Sequence, residues 1–141
     1  MRTVATFRTG LFNSDDPQPH FINPICFGQD LATWVLERMK GTALTLSESI
    51  QEDYGWGFWA ETDFWVAMAL HDNAAGSLHA EWMISVDYDP GLSLKKRLSQ
   101  KPDTKLWKSI CVAIHEALRT ETEITDLIWC GDNERDCDDA P

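Results

Sequence analysis

Leu78-His79-Ala80-Glu81-Trp82-Met83-Ile84-Ser85-Val86-Asp87-Tyr88 is the stretch on which the fold turns. Successive side chains of an extended chain point to opposite faces. Leu78, Ala80, Trp82, Ile84, Val86 and Tyr88 therefore share one face, and His79, Glu81, Ser85 and Asp87 share the other. A strand that is apolar on one side and polar on the other belongs to an antiparallel sheet covered on a single face. Its flanks agree: Asp72 to Ser77 reads as a turn before it, and Asp89-Pro90-Gly91 closes it.

Upstream, Glu52 to Leu70 carries three of the seven tryptophans and two of the six phenylalanines. So many aromatic rings are costly to leave in water. Gly57 to Glu61 and Phe64 to His71 read as a hairpin linked by Thr62-Asp63, with Phe64, Val66, Met68 and Leu70 on its core side. Thr3 to Thr9 is a first strand, and Gly10 to Pro24 a loop punctuated by three prolines. Gln29 to Lys40 places Leu31, Trp34, Val35 and Met39 at helical spacing before Gly41 stops the helix. Thr42 to Leu46 reads as a brief strand and Leu92 to Leu98 as a short helix. Asp103 or Thr104 caps a longer helix to Thr120, with Leu106, Trp107, Ile110, Cys111, Ile114, Ala117 and Leu118 as its inner stripe. Ile124 to Cys130 is the last strand. This order predicts an α+β fold: an antiparallel sheet of about five to six strands with two main helices packed on one face. Residues 1–130 form a single domain, and 131–141 an acidic, flexible C-terminal tail.

The 141 residues carry 23 acids against 12 bases, a net charge of −11. Phosphate repels such a surface, so nucleic acid is excluded as a general partner; the charge is compatible with docking on a basic protein, but keeping the chain in solution is the favoured reading of it. No apolar run approaches a membrane span, and the first residues lack the apolar core of a signal peptide. Cys26, Cys111, Cys130 and Cys137 show no CxxC and no regular spacing. They are expected as thiols in a reducing, cytoplasmic setting rather than as a disulfide framework. No sequence feature calls for a cofactor.

Three features could carry chemistry, each with a bland counterpart. Glu52 and Asp53, ahead of Tyr54-Gly55-Trp56, are either carboxylates at the lip of an aromatic pocket or turn residues beside glycines that allow unusual dihedrals. With Tyr54, Trp56 and Trp59 they form the candidate ligand- or partner-binding set. His71 and His79 flank a turn where, with Glu81, they could hold zinc; as two solvated imidazoles they need no metal. Lys95, Lys96, Arg97, Lys101, Lys105 and Lys108 gather half of the basic residues into one segment. That segment is either an anion-docking patch or a solvated helix face neutralised by the acidic tail. G-x-S-x-G, a phosphate-binding glycine loop and H-E-x-x-H are all absent, so no catalytic set is named.

Phe21-Ile22-Asn23-Pro24, Phe27-Gly28, Glu52-Asp53-Tyr54-Gly55-Trp56, Trp82, the basic Leu94 to Leu98 segment and Ile128-Trp129 together resemble a family of short, mostly uncharacterised bacterial proteins. That resemblance implies a stand-alone cytosolic domain. The expectation drawn from all of this is a non-enzymatic protein-binding or inhibitory module, comparable in type to immunity proteins. It would dock on a partner through its acidic surface and exposed aromatics, and a sheet edge could also pair two copies. The alternative is a small-ligand or enzyme site at the Glu52–Trp56 turn.

Overall fold

The computed structural model describes residues 1–73, 79–91, 101–131 and 136–141. In chain order these form β1 (Val4–Thr9), α1 (Gln29–Met39), β2 (Ile50–Glu52), β3 (Gly55–Ala60), β4 (Phe64–Asp72) and β5 (Ala80–Tyr88). They continue with α2 (Thr104–Arg119), β6 (Thr125–Cys130) and β7 (Cys137–Asp138). The strands make one antiparallel sheet in the order β2-β3-β4-β5-β1-β6-β7. The α+β reading with two main helices holds among the described residues. The strand number is corrected from five or six to seven. The two unforeseen strands, β2 and β7, have three and two residues. So short a segment shows no alternation, and pairing with β3 and β6 makes each one a strand. Thr42 to Leu46, read as a strand, contributes only isolated bridges to Lys40 and Ala60. The short helix expected at Leu92 to Leu98 lies outside the described residues.

One face of the sheet is the core. Ala5 and Phe7 of β1, Trp56 and Phe58 of β3, Phe64, Val66 and Met68 of β4, Trp82, Ile84 and Val86 of β5, and Trp129 of β6 are all buried there. Leu31, Val35 and Met39 of α1 and Ile110, Cys111, Ile114 and Leu118 of α2 close the same cluster from the helix side. Full burial of each large side chain contributes about 1.5–3 kcal/mol, so this face dominates stability. α2 is started by Asp103, whose Oδ1 accepts from the N–H groups of Lys105 and Leu106 at 3.0 and 3.1 Å. Trp107 Nε1 then donates to the Val86 carbonyl at 2.8 Å, fixing the helix onto β5. α1 starts from Gly28, whose φ of 128° is a conformation L side chains rarely adopt. No described helix is long and apolar enough to cross a membrane.

The cysteine expectation is overturned at one pair. Cys130 and Cys137 are disulfide-bonded, whereas Cys26 and Cys111 are buried thiols. The Gly131 N–H donates to the Asp136 carbonyl at 3.0 Å, closing a β6–β7 hairpin that sets Cys130 opposite Cys137. A seven-residue separation carries no disulfide signal until that hairpin is known. β7 also means that part of the tail joins the sheet edge.

Candidate functional site

Strand alternation sends a second set of side chains to the sheet face opposite the helices. Register fixes their rows. Trp59 stands opposite Trp65, and Trp65 opposite Asp87. Gly57, Ala67, Ser85, Val4 and Cys130 form the next row, followed by Ala69, Met83, Thr6 and Ile128. Arg8 and Glu81 close the face at its far end. It is therefore aromatic and acidic at one end, small and apolar in the middle, and salt-bridged at the other.

The aromatic end is an ordered cluster. The Trp59 and Trp65 rings lie 5.2 Å apart at 56°. Trp65 Nε1 donates to the Tyr54 hydroxyl at 2.7 Å, holding the Tyr54 ring over the sheet while 56 % of that residue stays exposed. Trp65 is only 8 % exposed although it lies outside the core cluster to which the two described helices contribute. The reason lies in β3: a Cβ added at Gly57 would come within 2.8 Å of Trp65 Cε2 and 2.5 Å of the Val66 carbonyl oxygen. The indole rests on the bare Gly57 backbone. Neither Gly55 nor Gly57 has positive φ, so both are required by close approach and not by unusual dihedrals. Burial, followed by the nearby Glu52 and Asp87 carboxylates, pushes the Tyr54 phenol above its ordinary value, against the opposing bond from Trp65. Ser85 Oγ donates to Asp87 Oδ2 at 2.7 Å and orients that carboxylate beside the Trp65 row.

The candidate residues do not converge. Tyr54 and Trp59 belong to the open face with Trp65. Trp56 belongs to the core: it is 6 % exposed, its Nε1 donates to the Cys26 carbonyl at 3.1 Å, and its ring packs on Phe21. Rings on opposite sides of a sheet cannot line one pocket. Glu52 is exposed and pairs with Gly55 at the edge strand. Asp53 contributes its carbonyl, which accepts from Cys26 Sγ at 2.7 Å and Asn23 Nδ2 at 3.1 Å. The turn is thus pinned by the loop before α1. Among the described residues neither carboxylate takes a hydrogen bond. His71 Nε2 lies 3.5 Å from Glu81 Oε1, whose other oxygen accepts from Arg8 at 2.7 Å. His79 lies against Gly10 instead. No group of three metal-ligating side chains gathers among the described residues.

Residue reasoning placed Asp87 on the polar face of its strand but missed Trp65 beside it. Alternation carried the signal, since a face holding Phe64, Val66 and Met68 necessarily turns Trp65 the other way. It also missed a cleft of about 680 Å³ between α1 and residues 41–49, lined by Leu36, Met39, Leu44 and Leu46 with Glu37 and Glu48 at its rim. Of the basic segment, Lys95, Lys96 and Arg97 lie outside the described residues. Lys105 and Lys108 line a cleft of about 440 Å³ with Arg2 and Asp136. No family model, curated protein or solved structure matches the chain.

Proposed function

We propose that this chain is a non-enzymatic binding module of the inhibitory type, which docks the open face of its sheet on a basic protein partner. The observation that supports this is the Tyr54–Trp59–Trp65 cluster, held outside the core and framed by Glu52 and Asp87. Tryptophan and tyrosine anchors concentrate the energy of compact interfaces. Carboxylates at the rim select a cationic surface and speed encounter with it. The chain's net charge of −11 acts in the same direction and opposes self-association through this face.

Trp59 is the residue to test, because it is half-exposed and outside the core cluster. Wild-type protein, Trp59→Ala and Asp87→Lys are used as baits in extracts of the native host, with circular dichroism confirming each fold. A partner held by wild type and weakened roughly 30-fold or more by Trp59→Ala is the expected result for an interface anchor. Asp87→Lys should slow association and reduce its salt dependence. Capture that is indifferent to both changes, or no partner at all, refutes the reading.

A further inference from the structure

The acidic C-terminal segment does more than end the chain. Arg2 Nε donates to Asp136 Oδ1 at 3.1 Å, Arg2 Nη2 lies 3.4 Å from Asp138 Oδ2, and Arg2 Nη1 donates to the Ala140 carbonyl at 3.2 Å. Asp136 and Pro141 wall the cleft that holds Arg2, Lys105 and Lys108. Asp139 and Ala140 wall a neighbouring cleft of about 410 Å³ with His115, Arg119 and Asp126. Three carboxylates in residues 136–141 thus meet a cationic corner of an otherwise acidic protein. The corner is already occupied, by the protein's own tail.

We propose that the Cys130–Cys137 disulfide is a redox clasp that straps this acidic segment across the Arg2–Lys105–Lys108 corner, and that reduction releases the strap so that an acidic peptide can take its place. The noncovalent hold is slight. Among the described residues β7 is a two-residue strand pairing Cys137 and Asp138 with β6, the Gly131–Asp136 backbone bond closes the hairpin, and the ion pairs involve half-exposed aspartates. Exposed pairs of this kind contribute little, and ordering six residues has a substantial entropic cost. The covalent link therefore decides where the segment sits.

The chemistry balances with a dithiol as reductant. Its thiolate attacks the sulfur of exposed Cys137, and Cys130 leaves as thiolate and takes up a proton. The second thiol of the reagent then displaces Cys137 and closes a cyclic disulfide, so two electrons and two protons pass to the protein. No internal thiol competes: Cys26 and Cys111 are buried, and burial pushes the Cys111 thiol up to about 12. In a reducing compartment a bond of this kind is transient and redox-sensing. Cys130 shares a sheet face with Trp59 but stands four strands away from it in the sheet order, so the clasp can be tested separately from the open-face proposal.

The test uses the full chain, oxidised or treated with dithiothreitol. Thiol titration under native conditions should find no reactive thiol before treatment and two after it. Hydrogen exchange at the Gly131 amide should accelerate at least tenfold on reduction, while the β4 and β5 amides stay protected. Fluorescein-labelled octa-aspartate should bind the reduced chain at least tenfold more tightly at low salt, and Arg2→Glu should abolish the gain. Cys137→Ser should behave as the reduced chain does without any reagent. Unchanged exchange at Gly131, or equal octa-aspartate binding in both states, overturns the proposal. Global loss of protection on reduction also overturns it, because the disulfide would then be a structural staple.

Discussion

Gly57→Ala tests whether the open-face cluster is built on a bare backbone. The added methyl would sit 2.5 Å from the Val66 carbonyl oxygen and 2.8 Å from Trp65 Cε2, where ordinary contact begins at 3.4 Å. Relief requires a shift of about 1 Å by something. The indole can tilt, but only by stretching its 2.7 Å bond to the Tyr54 hydroxyl. The Val66 carbonyl belongs to the β3–β4 ladder, where Phe58 pairs with Val66 and Gly57 with Ala67. Overpacking of this kind costs about 1–3 kcal/mol, and loss of the Tyr54–Trp65 bond adds about 0.5–1.5 kcal/mol. The expected total is about 2–4 kcal/mol, read as a fall of about 1–2 M in the urea midpoint at unchanged slope. Gly57→Ala combined with Trp65→Leu separates the two clashes, since it removes the indole and leaves the carbonyl. The double variant should then be less destabilised than the sum of the single changes. A midpoint within about 0.3 M of wild type for Gly57→Ala would show that the strands spread freely and that the glycine is not what seats Trp65.

Two further outcomes follow from the helices. Asp103→Ala removes the oxygen that caps α2 at Lys105 and Leu106 and should cost about 1 kcal/mol, lowering Tm by roughly 3–5 °C; an unchanged melting curve would show that the Trp107–Val86 bond alone starts the helix. The Cys111 thiol, raised by burial to about 12, favours the folded state below the ordinary thiol value of 9.0 and loses that contribution as pH climbs toward 12. Urea midpoints measured upward from about pH 8 should therefore fall more steeply in wild type than in Cys111→Ala, and parallel curves would remove Cys111 as a cause.

What the sequence made legible was what burial dictates. β5 and α2 were readable because each repeats its apolar residues over two or more turns or pleats, and the core indeed takes Trp82, Ile84, Val86, Ile110, Cys111, Ile114 and Leu118. β2 and β7 were not, since their existence depends on the partner's backbone and not on their own pattern. The disulfide was hidden for the same reason. The candidate set was half-legible. Its members were chosen by nearness in sequence, yet in a strand neighbours face apart, and that sent Trp56 inward and Trp59 outward. The glycines misled too, because backbone approach leaves no trace in a single chain unless the ring that lies on it is known.

These corrections move the functional argument from the turn to the two ends of the sheet. A turn whose Asp53 carbonyl already binds Cys26 and Asn23 has little freedom to serve a ligand. The open face retains an exposed tyrosine and a half-exposed tryptophan seated on rigid strands, which is how an interface keeps anchors at low entropic cost. At the opposite edge the arrangement is reversed: charges of both signs, weak individual contacts and one covalent bond that decides their position. Anchors on rigid strands suit constant binding, and charges under a cleavable strap suit conditional binding. If both surfaces act, reduction should change the protein's affinity for acidic peptides and leave its affinity for a basic partner untouched. A single titration of each ligand in both redox states separates the two, and coupled changes would mean that the strap reaches the open face through the sheet.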